Sequence, residues 1–212
     1  MRILWVLLSM VLTVMAKTIE FSSEKPGAVP SGWIVAMTHE GGAPKWEIVQ
    51  DGRRVFAQTS TDNTSGRFPL AVYRKARFTN GSVSVRFKAV SGERDQAAGI
   101  VWRYQDPDNY YIVRANALED NVVLYKVEQG KRISLEPKGT PSKTYGVKQK
   151  VPSGAWSELR VDFAGEKFDV YFDGVKIMEV HDATFAGSGH AGLWTKADSV
   201  IYFDSFRFER RR

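Results

Sequence analysis

Apolar residues in this chain recur at every second position, and that period dictates strands rather than helices. In "SVSVRFKA", Ser82 to Ala89, the residues Val83, Val85, Phe87 and Ala89 fall on one face and Ser82, Ser84, Arg86 and Lys88 on the other. "ELRVDF", Glu158 to Phe163, divides the same way, with Leu159, Val161 and Phe163 opposite Glu158, Arg160 and Asp162. Hardly any window shows helical spacing. Turn pairs at Asp51-Gly52, Asn80-Gly81, Gln129-Gly130, Gly165-Glu166 and Asp173-Gly174 separate the runs at intervals typical of a sandwich. Asp173-Gly174 joins "KFDVYF" to "VKIMEV" as a hairpin whose two turn residues tolerate positive φ. Further strands are predicted around Trp33–Met37, Trp46–Val49, Val55–Gln58, Ala98–Tyr104, Val122–Glu128, Ala191–Thr195 and Val200–Glu209. The expectation is an all-β fold, one antiparallel sandwich. The long irregular stretch Glu136–Gly154 has strands on both sides, so it reads as a surface loop and not a domain boundary.

Residues 1–16 are expected to lie outside that fold. They combine an early Arg2, an apolar run from Ile3 to Val14 and the small-residue pattern Val14-x-Ala16. That is the pattern of a secretory signal peptide cut near Lys17, and its apolar run is shorter than the roughly 20 residues of a spanning helix. The domain proper is then residues 17–212, secreted or periplasmic, with no membrane segment and a monomer expected. The chain has no cysteine, which suits a bacterial envelope better than a disulfide-rich animal domain. Removing Arg2 leaves 29 basic and 24 acidic residues, a net charge of 29 − 24 = +5. The surplus forms no cluster except the terminal "ERRR", so a nucleic-acid partner is not expected. His39, His181 and His190 lack metal-ligand spacing, and neither a metal nor a cofactor is expected. "DPD" at Asp106–Asp108 offers oxygens to Ca²⁺, but a hairpin turn with Asp side chains capping backbone N–H groups is the preferred account.

The central strands break the simple alternation. In "YYIVRANA", Tyr111, Val113, Ala115 and Ala117 suit the space between two sheets, while Tyr110, Ile112, Arg114 and Asn116 suit neither a core nor an ordinary wet face. In the preceding "AGIVWRY", Trp102 and Tyr104 fall on one side and Arg103 on the other. Aromatics cover the C–H face of a sugar ring, and planar multi-donor groups satisfy its hydroxyls, so this mixture points to carbohydrate. The alternative is structural: Arg114 and Asn116 satisfy neighbouring loop groups and Tyr110 packs beneath a loop. "WTKADS", Trp194 to Ser199, likewise reads as an aromatic platform with Lys196 and Asp198, or as a core Trp beside an exposed ion pair.

Over "AAGIVWRYQDPDNYYIVRANALEDNVVLYKVEQGKRISL" and "AGLWTKADSVIYFDSFRF" the chain resembles exported bacterial proteins of the concanavalin A-like lectin/glucanase superfamily. The resemblance is to members with a 3-keto-disaccharide hydrolase-type domain, also described as family 16 glycoside hydrolase-like or laminin-G-like. It implies a single jelly-roll sandwich of two antiparallel sheets, with the first strand (Thr18–Phe21) beside the last. Laminarinase-type members carry Glu-x-Asp-x-x-Glu on one strand. "ERDQAA" lacks the third element, so two-carboxylate retaining hydrolysis is not expected. A 3-keto-glycoside needs only a base for the C–H beside the ketone and a group stabilising the enolate. Glu119, Asp120 and Asp198 are the candidate bases, and Arg103, Arg114 and Lys196 the candidate stabilisers. The expected catalytic set is Glu119, Asp198 and Arg114, with Arg103, Tyr110, Asn116, Trp194 and Lys196 binding the sugar. A non-catalytic carbohydrate-binding or protein-adhesion module is the alternative.

Overall fold

The protein is described by a computed structural model covering residues 15–211. Sixteen strands and no helix are present among them, arranged as two antiparallel sheets packed face to face. The first sheet is built from β3 (Trp46–Asp51), β4 (Arg53–Gln58), β6 (Asn80–Ser91), β12 (Trp156–Ala164), β13 (Lys167–Phe172), β14 (Val175–His181) and β16 (Val200–Arg211). Its order is β14-β13-β12-β6-β16-β4-β3, and β1 (Met15–Ile19) also pairs with β16, Ile19 opposite Phe206. First strand beside last is the jelly-roll closure that the family resemblance implied. The expected signal sequence lies outside the described residues except for Met15 and Ala16, which open β1.

The second sheet contains β2 (Trp33–Thr38), β5 (Phe68–Phe78), β7 (Ala97–Asp106), β8 (Asn109–Asn116), β9 (Asn121–Glu128), β10 (Lys131–Ser134), β11 (Val147–Lys148) and β15 (Gly189–Thr195). Its order is β10-β9-β8-β7-β15-β5-β2, with β11 pairing β9. The alternating strands pack as the sequence predicted. Val83, Val85, Phe87 and Ala89 meet Leu159, Val161 and Phe163 in the core between the sheets, joined from the second sheet by Trp102, Tyr111, Val113 and Ala115. The Asp173-Gly174 turn has φ of 45° and 81°, as its hairpin requires.

Strand β5 was not legible in the sequence. "FPLAVY" at its start is buried throughout, so no polar face marks a period of two. Leu70 and Val72 belong to a second apolar cluster on the outward side of the second sheet, with Phe68, Val101, Tyr104, Tyr110, Ile112, Val123, Tyr125, Val127 and Trp194.

That outward side is buried because the sheet is curled. The Arg132 guanidinium carbon on β10 lies 4.8 Å from the Phe68 ring centre on β5 and 4.5 Å from that of Tyr125 on β9. The two rings are therefore at most 4.8 + 4.5 = 9.3 Å apart. Four strand-to-strand steps separate β5 from β9, about 19 Å in a flat sheet. The edges also meet across the concavity: His39, just after β2, places Nδ1 2.7 Å from the Gly66 carbonyl oxygen and Nε2 2.7 Å from that of Gly130. Thr38 donates to the Pro107 carbonyl at 2.6 Å and its hydroxyl lies 2.7 Å from the Tyr110 hydroxyl.

Candidate functional site

The curled sheet gathers one polar network at the end of β8. Arg114 Nη1 donates to Asn121 Oδ1 at 2.6 Å, and its Nη2 donates to Glu119 Oε2 at 2.7 Å and to the Tyr145 hydroxyl at 3.1 Å. Tyr145 in turn hydrogen-bonds the Tyr125 hydroxyl. Asn116 Nδ2 donates to both Glu119 Oε1 and Asp95 Oδ1, each at 3.0 Å. Lys196 Nζ sits 2.7 Å from Asp95 Oδ2. The oxygens that share the Asn116 amide are thus no more than 3.0 + 3.0 = 6.0 Å apart.

Each residue is placed by local geometry. Arg114 and Asn116 are alternate residues of β8 and so share its outward face. The tight turn after β8, with Asp120 at φ 46°, brings Glu119 back over that face. Asp120 itself accepts from the Val151 backbone N–H at 3.0 Å and from Lys150 Nζ at 2.9 Å. It fastens the long Glu136–Gly154 loop, which delivers Tyr145, rather than joining the network.

Burial alone would raise the Glu119 carboxyl; the Arg114 charge, its hydrogen bonds from Arg114 and Asn121, and the Lys196 charge together hold it below the usual carboxylate range. Burial would also favour losing the Arg114 proton, but the acidic groups around it, Tyr125, Glu119 and Tyr145, raise its pKa instead. Desolvation pushes the Tyr125 phenol up, only partly opposed by the Arg114 and Arg132 charges. Glu119 is therefore a charged acceptor and Tyr125 a neutral phenol at physiological pH. The Glu119 side chain is 39% exposed, while that of Asp95 is 2% exposed, so Glu119 is the carboxylate a ligand can reach.

Of the residues singled out from sequence, Glu119, Arg114, Asn116 and Lys196 come together here. Asp198 does not join them directly. Its Oδ2 accepts from the backbone N–H groups of Glu93 at 2.7 Å and Arg94 at 3.0 Å, and its Oδ1 from Asp95 at 3.1 Å. Burial raises the Asp198 carboxyl, and those backbone donors overcome that and leave it lowered. It is an anchor for the turn that carries Asp95, and it borders a separate open cavity of about 290 Å³ lined by Asn63, Glu93 and Arg94.

Arg103 lies elsewhere. Its φ of 48° and the register shift between Trp102 and Asp106 mark a bulge in β7. Parity breaks there: Trp102 enters the core, Tyr104 the outward cluster, and Arg103 turns to the sheet end. Its guanidinium donates to the carbonyls of Thr79 (3.1 Å), Phe185 (2.8 Å) and Gly165 (2.6 Å) and leans on Phe163 and Phe168. Tyr110 and Trp194 do face the concavity, but as its buried floor. Trp194 packs 5.2 Å from Phe68, and Tyr104 lies 5.9 Å from Tyr110. Neither offers an open platform.

Sequence reasoning missed Asp95, Asn121, Tyr125, Tyr145 and Arg132. Asp95 and Tyr145 sit in connections, where no periodicity signals direction. Asp106, expected as a turn cap or a Ca²⁺ ligand, accepts from the Asp108 backbone N–H at 2.8 Å and from Asn109 Nδ2 at 3.0 Å, as a cap does. Among the described residues no group of three or more His, Cys, Asp or Glu is arranged to hold a metal, and no helix is long and apolar enough to cross a membrane.

Comparison with solved structures finds the same architecture in carbohydrate-associated proteins. A carbohydrate binding module, CBM66, from Bacillus subtilis superposes with a TM-score of 0.64 at 20% identity, over 83% of this chain and 94% of that one. A protein described as a native glycosidic hydrolase gives 0.59 at 13% identity, over 95% of this chain and 97% of that one. A GH43 protein, BlXynB, from Bacillus licheniformis gives 0.57 at 15% identity; this chain covers 38% of it and is itself covered over 90%. At these identities the likeness is one of fold. No curated protein matches the sequence. Residues 24–209, nearly the whole described chain, match one family model, and the chain accordingly belongs to the 3-keto-alpha-glucoside-1,2-lyase-like domain family.

Proposed function

We propose that the Asp95–Asn116–Glu119–Arg114–Tyr145 network is the ligand site of an exported, carbohydrate-directed jelly-roll domain, and that its reaction is elimination from a 3-keto-glycoside. The carrying observation is the pairing of a half-exposed carboxylate, Glu119, with hydroxyl and ammonium donors at Tyr145 and Lys196 on one network. Glu119 Oε1 accepts one hydrogen bond, from Asn116, and keeps a second lone pair for a ligand proton. In the reaction, Glu119 takes the C2 proton beside the C3 ketone. The electron pair moves onto the carbonyl oxygen, which accepts from Tyr145 or Lys196. It then returns to form the C1–C2 double bond as the C1–O bond breaks, and the departing oxygen takes a proton from solvent while Glu119 releases the C2 proton there. Water adding across the double bond would complete hydrolysis. Arg114 is buried and acts as a positioning residue that fixes Glu119 and Tyr145.

Neither carboxylate is set up as a general acid, since Glu119 is held low and Asp95 is paired with Lys196, which disfavours the two-carboxylate route. A second reading, sugar binding without chemistry, is favoured by that same ion pairing, which leaves Glu119 a weak base. The two are separated by incubating the protein with methyl 3-keto-α-glucoside in D2O and following the C2 proton by NMR. Exchange or elimination that disappears in Glu119→Gln supports the enzyme. Saturable binding with an untouched C2 proton leaves only the binder.

A further inference from the structure

The three arginines buried among the described residues each make three or more side-chain hydrogen bonds, although Arg114 Nε is itself buried without an acceptor. Arg67 donates to three carbonyls and a hydroxyl, Arg103 to three carbonyls, and Arg114 to a carboxylate, an amide and a phenol. Arg132 differs. Half-buried over the concave face, it makes no hydrogen bond and no ion pair among the described residues, and its Nη1 is buried without an acceptor. The Tyr125 and Phe68 ring centres lie 4.5 Å and 4.8 Å from its central carbon. Ring faces compensate the charge, but they give the buried Nη1 no hydrogen-bond acceptor. A buried cationic donor with no acceptor carries its full desolvation cost, and such groups in native proteins call for a partner. The acceptor that best suits an unpartnered guanidinium is a carboxylate, whose two oxygens match its fork of donors.

Arg132 also lies beside the proposed site. Arg114 Cζ is 5.9 Å from the Tyr125 ring centre that Arg132 covers, so the two guanidinium carbons are within 5.9 + 4.5 = 10.4 Å. Tyr125 connects them, its ring touching Arg132 and its hydroxyl bonded to Tyr145. One hexose can span that interval, with its ring against Glu119 and Tyr145 and a substituent reaching Arg132.

We propose that Arg132 reads a carboxylate on the sugar, so that the ligand class of this site is a uronic-acid glycoside and not a neutral one. This rests on the carbohydrate reading above. The test compares methyl α-D-glucuronide with methyl α-D-glucoside by NMR titration of the labelled protein. Wild type should bind the uronide at least tenfold more tightly. In Arg132→Gln that preference should fall below threefold. Arg132→Lys, which keeps the charge and loses the fork, should give an intermediate ratio, and it serves if the Gln variant does not fold. Equal affinity for the two sugars in wild type, or a wild-type ratio in Arg132→Gln, overturns the assignment while the carbohydrate site stands. A 6-sulfated glucoside that binds as tightly as the uronide overturns the carboxylate in favour of a general anion. If neither sugar nor methyl 3-keto-α-glucoside binds, the carbohydrate reading fails and takes this proposal with it.

Discussion

Replacing Asp198 by Asn separates structure from chemistry most sharply. The carboxylate accepts from three successive backbone N–H groups, those of Glu93, Arg94 and Asp95, at 2.7 to 3.1 Å. Asn can offer one oxygen to that turn, but its amide nitrogen then faces N–H groups that have nothing to donate to. Hydrogen bonds to a charged acceptor contribute about 1.5–3 kcal/mol each. Losing one such bond outright and the charge assistance of the others costs about 3 kcal/mol. For a domain of this length that is a drop of about 6–12 °C in Tm, at about 2–4 °C per kcal/mol. The pH dependence has a definite sign. The Asp198 carboxyl is held below its unfolded value, so its contribution is complete above pH of about 4 and fades as pH falls through the lowered native pKa. Differential scanning fluorimetry on both proteins should show a wide gap at pH 7 that narrows toward pH 2–3. A gap under 1 °C at pH 7, or one that widens in acid, would refute the reasoning. Were Asp198 the catalytic base, Asp198→Asn would abolish elimination with Tm unchanged.

Other expectations follow from the same contacts. Arg103→Met leaves the Thr79, Phe185 and Gly165 carbonyls without their shared donor and should cost about 2–4 kcal/mol in a urea melt, with sugar affinity of the folded protein within twofold of wild type. Tyr145→Phe removes a hydroxyl from a side chain that is 49% exposed; thermal melts should move by less than about 2 °C while sugar affinity or turnover falls at least fivefold, roughly one hydrogen bond. Gly92 has φ of 147°, and an added Cβ would lie 1.9 Å from the Asp95 carbonyl oxygen. Gly92→Ala should therefore disrupt the Asp95 turn, reproducing the Asp198→Asn loss by melting temperature. His39→Ala removes the side chain that meets both edges of the curled sheet, and hydrogen exchange should accelerate at β2 and at the β9–β10 turn before it does in β6 or β12.

Where burial is one-sided, the sequence displays it. β6 and β12 alternate because one face meets water, and their core residues were assignable one by one. The first half of β5, Phe68 to Tyr73, has no wet face, so its pattern carries no period. The candidate site is legible only where strand parity holds: Arg114 and Asn116 share the outward face of β8, buried and bonded to the turn and loop around them. Parity misled at β7, because an Arg at φ 48° inserts a residue that no pattern announces. Asp198 is a candidate base only through the family resemblance of the block that contains it, whereas backbone donors from a turn a hundred residues earlier engage its carboxylate. Long-range pairing of that kind is invisible to any local window.

Curvature explains why a middle strand tolerates Arg114 and Asn116 at all. In a flat sandwich the outward face of the second sheet would be wet, and Tyr110, Ile112 and Trp194 beside them would have no reason to be apolar. Curling the sheet until Arg132 bridges Phe68 and Tyr125 turns that face into a second core. Such a core has no room for unpaired charge. The strand-end polar residues are accordingly drawn into a closed network, and Glu119 gives Arg114 a counter-ion. One guanidinium is left over that curvature alone does not satisfy. Flattening the sheet would release Arg132 to water and remove the anomaly. The fold instead holds it against two rings, and the sugar titration asks whether a ligand carboxylate completes the shell that the protein leaves open.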